Sequence, residues 1–342
     1  MFLQNIYDKH FLMISYFFIF VLINLLFFSN YKFISKVLNV YDFPDSIRKK
    51  HQKPTPLLGG LLLIVVIVNY FLFEIFFFNN LIFFTSKIEI LIFIFLSFLF
   101  FITGFLDDKF EINPNLKLIL FSIFICILMA LDKDLILMKV NFTFRENFYD
   151  LGYYGYFFTI LCFLLFINSF NMIDGINGQA GFYSIFLLII LNLNNTNFVF
   201  FSSLILSLIL FLIFNFKNKM FLGDSGTLLV GFMVSYFFIK SYNLNNNFFS
   251  DEIVLIMLIP GLELLRLAIT RIIEKKHPFK PDEKHIHHLF IKNTNYLNSF
   301  LSIQILFILP YLLYLILNNS LISLILSVIL YSSVIYFLKK KI

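Results

Sequence analysis

Charged residues are scarce in this sequence: they make up 13% of its 342 residues, whereas soluble globular domains carry about 25%. Hydrophobic residues make up 60%, and Phe alone occupies 52 positions. A chain with so little charge cannot cover the surface of an ordinary soluble domain. The composition therefore indicates an integral membrane protein.

Cysteine is also rare. The two cysteines, Cys126 and Cys162, both lie within apolar runs. Two isolated thiols in that setting exclude a disulfide framework and a thiolate metal site. The polar chemistry of this chain must therefore come from carboxylates, amides, histidines and basic side chains.

Long apolar runs define the fold class. A membrane core about 30 Å thick needs a helix of about 20 residues. Eleven segments approach that length: 11–30, 57–79, 88–106, 117–131, 153–170, 180–193, 198–216, 226–243, 252–271, 298–317 and 319–338. The first is long for a signal peptide and no small-residue cleavage site follows it, which favours a retained helix. The sequence predicts an all-α, polytopic integral membrane protein with about 11 transmembrane helices and one domain over residues 1–342, since no linker or repeat divides it.

Basic residues are distributed unequally between the predicted loops. Twenty of the 26 lysines and arginines lie on one side of the predicted helices and six on the other. Because cytoplasmic loops carry the excess of basic residues, we expect the N-terminus outside and the C-terminus in the cytoplasm. On the outer side, the segment 132–150 predicts a short β-hairpin.

Five polar clusters recur on the predicted cytoplasmic side. The first is the basic loop 45–60, which ends in two glycines at the start of a helix, where backbone amides can approach an anion. The second is the pair Asp107 and Asp108 at the end of an apolar run, with Lys117 at the start of the next helix. Two adjacent carboxylates that lose hydration need a shared cation or proton. Taken alone, the loop could serve topology only, and the pair could be a solvated helix end.

The third and fourth clusters combine acids with amides and glycines. In the third, Asn168 and Asn171 lie one helical turn apart and are followed by Asp174 and three glycines. Irregular polar backbone at membrane depth is tolerated where it lines a cavity or the protein interior. In the fourth, Phe-Leu-Gly-Asp-Ser-Gly, Asp224 stands in a glycine turn before a helix, a pattern that alone more often marks an N-cap.

The fifth cluster places three of the six histidines, His285, His287 and His288, within four residues. Zinc binding is an alternative, but no cysteine or second spaced pair completes such a site. Beside Lys and Arg, the histidines fit better as donors to phosphate. Carboxylate and amide oxygens suit Mg²⁺, which binds few protein ligands together with substrate phosphates. The five clusters together predict phosphoryl transfer at the cytoplasmic membrane surface, with one lipid-soluble partner.

The ordered motifs resemble those of the polyprenyl-phosphate N-acetylhexosamine-1-phosphate transferases, glycosyltransferase family 4. They are Pro-Thr-Pro-Leu-Leu-Gly-Gly, Gly-Phe-Leu-Asp-Asp, Asn-Ser-Phe-Asn-Met-Ile-Asp-Gly-Ile-Asn-Gly, Phe-Leu-Gly-Asp-Ser-Gly and His-Ile-His-His. The histidine motif looks more like the GlcNAc-1-phosphate branch, which starts O-antigen (lipopolysaccharide), teichoic acid or related polymers, than like phospho-N-acetylmuramoyl-pentapeptide transferase. The resemblance implies transfer of N-acetylhexosamine-1-phosphate from a UDP-sugar such as UDP-N-acetylglucosamine to undecaprenyl phosphate. UMP would be released, at the first membrane step of cell-wall or other envelope glycan biogenesis.

The resemblance also implies roles for single residues. Asp107, Asp108 and Asp174 would be catalytic, with Asp107 or Asp108 deprotonating or orienting the lipid phosphate. Asp224 and Asn171 would bind Mg²⁺, or Mn²⁺ in its place. The substrate-binding residues would be Lys53, Lys117, Asn168, Asn177, His285, His287 and His288. Leu57, Asn177 and Glu263 stand where the family usually has Arg, Asp and Asp, so sugar and base selection are the properties they put in question.

Partners and alternatives follow from the same reading. We expect undecaprenyl phosphate, a UDP-N-acetylhexosamine and the bilayer of a bacterial cytoplasmic membrane as partners, and no nucleic acid; a homodimer is implied by the resemblance only. Direct attack by the lipid phosphate is expected, because a phosphate monoester is mostly ionised above its second pKa of about 6; a phospho-aspartyl intermediate is the rival. The alternative class is a cation-coupled transporter, whose site would lie near the bilayer midplane.

Overall fold

A computed structural model of the chain describes residues 2–44, 53–77, 83–194, 198–245, 247–276 and 283–340. Most of the basic loop of the first cluster, 45–52, and the segment 277–282 before the histidines lie outside the described residues. Predictions that concern them stay predictions.

Helices dominate the described chain. They are α1 (Phe2–Leu38), α2 (Gly59–Phe77), α3 (Lys87–Phe110), α4 (Pro114–Leu131), α5 (Tyr154–Met172), α6 (Gln179–Asn194), α7 (Phe198–Asn215), α8 (Gly223–Asn245), α9 (Ser250–Ile256), α10 (Leu258–Ile273), α11 (Ile286–Asn293), α12 (Tyr296–Leu317) and α13 (Ser320–Lys340). Nine helices in the described segments are long and apolar enough to cross a membrane, and the bent pair α9–α10 makes ten if it counts as one span. The prediction of an all-α, multi-pass membrane protein is confirmed. The count of 11 stays a prediction, since α6 has only 16 residues. The orientation of the termini also stays a prediction.

The predicted helix 252–271 is broken. The axes of α9 and α10 meet at 70° near Met257. Pro260 has no amide hydrogen to donate to the carbonyl of Ile256, which favours a bend at this point. The Ile256 carbonyl instead accepts a 2.6 Å hydrogen bond from the hydroxyl of Tyr183. The bend therefore leaves this buried carbonyl satisfied.

Two short antiparallel pairs of strands complete the fold. β1 (Tyr41–Asp42) pairs with β2 (Thr55–Pro56), at either end of the basic loop. β3 (Lys139–Phe142) and β4 (Arg145–Asp150) form the hairpin predicted for 132–150. The hairpin turn is held against α9, because the amide of Thr143 donates a 3.0 Å hydrogen bond to Asp251.

Helix α8 lies at the centre of the bundle, with α2, α3 and α5 packed around it. Glycines on two of these helices permit a close approach to its N-terminus. A Cβ at Gly60 of α2 would lie 2.5 Å from the backbone of Gly226, and a Cβ at Gly104 of α3 would collide with the carbonyl of Asp224. The two glycines thus allow three helix ends to meet at the start of α8.

The opposite end of α8 is fixed by a buried ionic cluster. The ammonium of Lys240 has no exposed surface and lies 2.8 Å from carboxylate oxygens of both Glu89 and Asp132. The hydroxyl of Tyr236 donates to Asp132 at 3.2 Å. Charges inside a membrane protein persist where they are paired in this way. The cluster joins the start of α3 and the end of α4 to α8.

Candidate active site

The pair Asp107 and Asp108 belongs to the last turn of α3, where the two side chains contact different elements. Asp107 is buried, and its Oδ1 accepts a 2.7 Å hydrogen bond from the amide of Ile112. Its Oδ2 accepts a hydrogen bond from the ammonium of Lys117 in the first turn of α4. Asp107 therefore holds Lys117 in place and offsets its charge.

Asp108 binds the N-terminus of α8. Its Oδ1 accepts from the amide of Asp224 at 2.7 Å and its Oδ2 from the amide of Ser225 at 3.0 Å. Amides in the first turn of a helix have no partner within the helix, and a carboxylate there is favoured by the helix dipole. Gly223 has a φ of +74°, and a Cβ at this position would lie 2.7 Å from Oδ2 of Asp108. The glycine turn and the acid are thus fitted to each other.

Asp224 and Lys117 face each other across the site. The ammonium of Lys117 lies 3.8 Å from Oδ2 of Asp224, whose side chain is 37% exposed. The carboxylate of Asp224 also lies close to that of Asp107. Because three carboxylates share the neighbourhood of one lysine, an added cation would lower their mutual repulsion.

The site offers carboxylate and amide oxygens, the ligands that Mg²⁺ prefers. Among the residues the structure describes, no group of three or more His, Cys, Asp or Glu side chains is arranged to enclose a metal ion. Mg²⁺ commonly has one or two carboxylate ligands and completes its shell with water and substrate phosphates. The exposed oxygen of Asp224 fits that requirement. No arrangement for zinc is present among the described histidines.

The side-chain amides of the two asparagines in the third cluster have different hydrogen-bond partners. Asn171 is joined to α8, because the hydroxyl of Thr227 donates to its Oδ1. Asn168 lies one turn earlier on α5 and donates a 2.7 Å hydrogen bond to the carbonyl of Leu164 in its own helix. The structure therefore brings Asn171, but not the amide of Asn168, into contact with α8.

The loop between α5 and α6 carries Asp174 and Asn177. Asp174 has an exposed face, but its pKa is raised to about 7. The largest cause is desolvation by the surrounding protein, and the negative charges of Asp108 and Asp42 add to it. Asn177 donates a 2.6 Å hydrogen bond to Oδ1 of Asn218, and its carbonyl accepts from the hydroxyl of Tyr296. Asp174 thus faces the carboxylates, whereas the amide of Asn177 binds the turn after α7.

The C-terminal end of the first basic loop is hydrogen-bonded to the turn after α7. Lys53 is exposed, and the hydroxyl of Thr55 donates to the carbonyls of Lys53 and Asn218 at 3.1 and 3.3 Å. The sequence left open whether this loop binds an anion through the amides of Gly59 and Gly60. They donate instead to the carbonyls of Phe221 and Leu222, because the segment before α8 runs alongside the start of α2.

The three histidines lie on or next to α11, and they differ in burial. His287 is buried, and its ring lies against Gly175, where any Cβ would collide with it. Burial, and then the neighbouring His288 and His285, hold the pKa of His287 well below its usual value, so the ring is neutral near pH 7. His285 and His288 are half-buried, and their ring centroids lie 6.3 Å apart.

Sequence reasoning missed several residues of this region. Thr227 follows Asp224 by three residues, so helical spacing would have placed its hydroxyl on the same face. Asp42 carried no motif signal, although its charge acts on Asp174. Arg271 was counted only as a basic residue, yet it is buried and its Nη2 lies 3.3 Å from Nε2 of His285.

The chain is similar to known proteins along most of its length. Residues 90–242 match the model of glycosyl transferase family 4. An Escherichia coli (strain K12) protein named undecaprenyl-phosphate alpha-N-acetylglucosaminyl 1-phosphate transferase is 27% identical over 271 residues, which covers 76% of this chain and 71% of that protein. The Thermotoga maritima protein of the same name is 27% identical, with 75% and 77% covered, and the Salmonella typhi protein is 26% identical, with 75% and 70% covered.

The matched region contains the residues that meet at the start of α8. Asp107, Asp108, Lys117, Asn171 and Asp224 all lie between residues 90 and 242. The hydrogen bonds described above bring these separate motifs together in one place. The motifs, the helical membrane architecture and the named relatives all agree with this match, so the chain is similar to glycosyl transferase family 4 over the region that forms the site.

Proposed function

We propose that this protein transfers N-acetylhexosamine-1-phosphate, most readily GlcNAc-1-phosphate, from a UDP-sugar to undecaprenyl phosphate. The products are undecaprenyl-diphosphate-sugar and UMP. The observation that carries the proposal is the meeting of Asp107, Lys117 and Asp224 at the ends of helices that are long and apolar enough to cross a membrane. The relatives named above carry both the lipid acceptor and the sugar phosphate in their names.

The proposed chemistry is one displacement at phosphorus. An oxygen of the lipid phosphate bonds to the phosphorus that carries the sugar, the bond from that phosphorus to the bridging oxygen breaks, and UMP leaves with the electron pair. Little covalent work falls to the protein, so charge neutralisation and alignment are its main contributions. Lys117 supplies a positive charge at the site, and Asp107 orients its ammonium.

The acids and histidines have separate roles in this proposal. Asp107 receives or directs any remaining proton of the lipid phosphate, while Asp108 aligns the first turn of α8. A bound Mg²⁺, or Mn²⁺, would neutralise charge on the diphosphate; Asp224 is the residue that would hold it, with Asn171 second. Asp174, His285, His287 and His288 line the side that receives the donor, with Lys53, Asn168 and Asn177 at its margin.

We further propose that the site faces the cytoplasm of a bacterial cell. Twenty of the 26 basic residues lie on the side predicted to carry the site. A UDP-sugar is a soluble cytoplasmic metabolite class, whereas the acceptor is held in the bilayer. A site at helix ends can receive both, while a transporter site would be expected near the midplane.

The experiment is an assay of purified protein in lipid nanodiscs. Undecaprenyl phosphate, Mg²⁺ and a panel of UDP-N-acetylhexosamines are supplied, and UMP and the lipid product are measured. We expect UMP release that requires the lipid phosphate and a divalent cation. Asp224→Asn should lower the rate at least about 100-fold, the size of effect seen when a transition-state charge partner is removed.

A matched control shows whether the effect is specific to the site or follows from removing any one carboxylate. Asp150 is an exposed hairpin acid whose Oδ1 accepts a 2.9 Å hydrogen bond from the amide of Gly152. Asp150→Asn should keep the wild-type rate. Equal losses in both variants, or UMP release without added lipid phosphate, would refute the proposed reaction. Counterflow of a cation in sealed vesicles without UMP release would favour the transporter instead.

A further inference from the structure

A buried carboxylate outside the acid cluster connects three helices. Glu263 of α10 has 2% of its surface exposed and accepts four hydrogen bonds. Oε1 accepts from Nη2 of Arg266 at 2.8 Å and from the amide of Ile286 at 2.7 Å. Oε2 accepts from Nε of Arg266 at 2.9 Å and from the hydroxyl of Tyr331 at 2.6 Å. Each oxygen therefore has two donors, drawn from α10, α11 and α13.

The bond to Ile286 places Glu263 at the start of the histidine helix. Ile286 is the first residue of α11, and the preceding His285 makes no side-chain capping bond. Glu263 thus supplies, from another helix, the acceptor and the negative charge that a helix N-terminus favours. Arg266 adds a second tie, because its Nη2 donates to the carbonyl of Lys284 at 2.7 Å.

These contacts fix the backbone on both sides of His285 and immediately before His287. Helix α11 has only eight residues, and so short a helix is held by tertiary contacts rather than by its own stability. The ring of His287 fits against Gly175 without room for a methyl group between them. A small displacement of α11 would therefore separate His287 from the loop that carries Asp174.

We propose that Glu263 is a positioning residue for the donor site: it sets the place of α11, and thereby the fit of His287 against the Asp174 loop. Glu263 is buried and therefore acts through the helix. The ligand concerned is the nucleoside diphosphate sugar, an assignment that rests on the proposed function. The packing of His287 does not rest on it.

Histidine modification by diethyl pyrocarbonate, read residue by residue with mass spectrometry, tests the packing directly. The reagent attacks neutral imidazole, so slow reaction of His287 reports burial and not protonation. Glu263→Gln keeps the size of the side chain but removes its charge. It also replaces one of the two acceptor oxygens by an NH₂ group, which cannot accept the two hydrogen bonds made to that oxygen. We expect His287 to react about tenfold faster, the factor expected when a hydrogen bond to a charged group is lost.

Glu252→Gln is the matched control. Glu252 also accepts from a tyrosine hydroxyl and a backbone amide, those of Tyr314 and Phe249, both at 2.7 Å. It lies in the first turn of α9, away from the histidines. His287 should stay as protected in this variant as in the wild type. Equal reactivity of His287 in both variants would overturn the proposal.

A kinetic readout tests the link to the donor. In Glu263→Gln the KM for the UDP-sugar should rise about tenfold, while the KM for undecaprenyl phosphate stays unchanged. A reactive His287 with an unchanged donor KM would overturn the positioning role. If Glu263→Gln does not fold, Tyr331→Phe removes one of the four donors and keeps the ion pair, and it should give a smaller increase of the same kind. If the wild type transfers no sugar phosphate, the proposed function fails, yet protection of His287 still decides this inference.

Discussion

The carboxylate of Asp108 accepts a 2.7 Å hydrogen bond from the backbone amide of Asp224. This bond crosses from the last turn of α3 to the first turn of α8 and fixes the residue proposed to hold the metal. The neighbouring Asp107 contacts Lys117 instead. Two adjacent acids thus orient two different groups of the site, one a carboxylate and the other an ammonium.

Asp108→Asn should lower both activity and stability. An amide in this place would present hydrogens to at least one of two backbone donors, and removal of a charged hydrogen-bond acceptor costs about 1.5–3 kcal/mol. We expect a loss of UMP release of at least about tenfold and a lower unfolding temperature in detergent. Asp134→Asn, at the opposite end of the bundle, is the control and should change neither property. Wild-type activity of Asp108→Asn would contradict the role assigned to this carboxylate.

Gly175→Ala should reduce activity because the new methyl group would collide with the ring of His287. The ring must then move away from the Asp174 loop, and we expect a higher KM for the UDP-sugar. Gly261→Ala is the matched control, since nothing lies within 4 Å of a Cβ at that position. The pair is measured by donor titration at saturating lipid acceptor. A donor KM raised equally in both variants would show that the effect is not local to His287.

Thr227→Val should weaken the site by releasing the amide of Asn171. The hydroxyl of Thr227 donates to Oδ1 of Asn171, and valine has the same shape without that donor. Thr227→Ser keeps the hydroxyl and should retain most of the activity. The measurement is the Mg²⁺ concentration needed for half-maximal UMP release, which we expect to rise about tenfold for valine only. The same Mg²⁺ requirement in both variants would remove Thr227 from the site.

Lys240→Met should destabilise the fold without a specific effect on catalysis. The substitution leaves Glu89 and Asp132 without the buried ammonium that lies 2.8 Å from each. Breaking a buried ion pair by removing one partner costs about 3–5 kcal/mol. We expect a much lower yield of folded protein and a lower unfolding temperature. Lys133→Met, an exposed neighbour in sequence of Asp132, should behave like the wild type. A folded and equally stable Lys240→Met would show that the ion pairs contribute little.

Much of the fold was predictable because apolar length is a strong signal in a membrane protein. The segment 88–106, for example, lies within α3. The bend between α9 and α10 was not predicted, although Pro260 is visible in the sequence. A proline inside an apolar run signals a possible break but does not give its angle. Nothing in the local sequence shows that the distant hydroxyl of Tyr183 would bind the carbonyl of Ile256 at this point.

The site was predictable as a set of residues but less so as a set of contacts. The motifs correctly brought Asp107, Asp108 and Asp224 into one region. They did not reveal that the amides of Gly59 and Gly60 bind the chain before α8, nor that Asn168 turns back on its own helix. Each of these donors has several carbonyl acceptors within reach, and a sequence pattern does not show which of them it binds. Of the four donors around Glu263, the two of Arg266 follow helical i,i+3 spacing, but those of Ile286 and Tyr331 come from two other helices and follow no sequence pattern.

The most direct test of the proposed function is UMP release by the purified wild-type protein with undecaprenyl phosphate, UDP-N-acetylglucosamine and Mg²⁺. We predict release that depends on both the lipid phosphate and the metal, and that falls at least about 100-fold in Asp224→Asn. Folded wild-type protein that releases no UMP with any UDP-N-acetylhexosamine would contradict the proposed reaction.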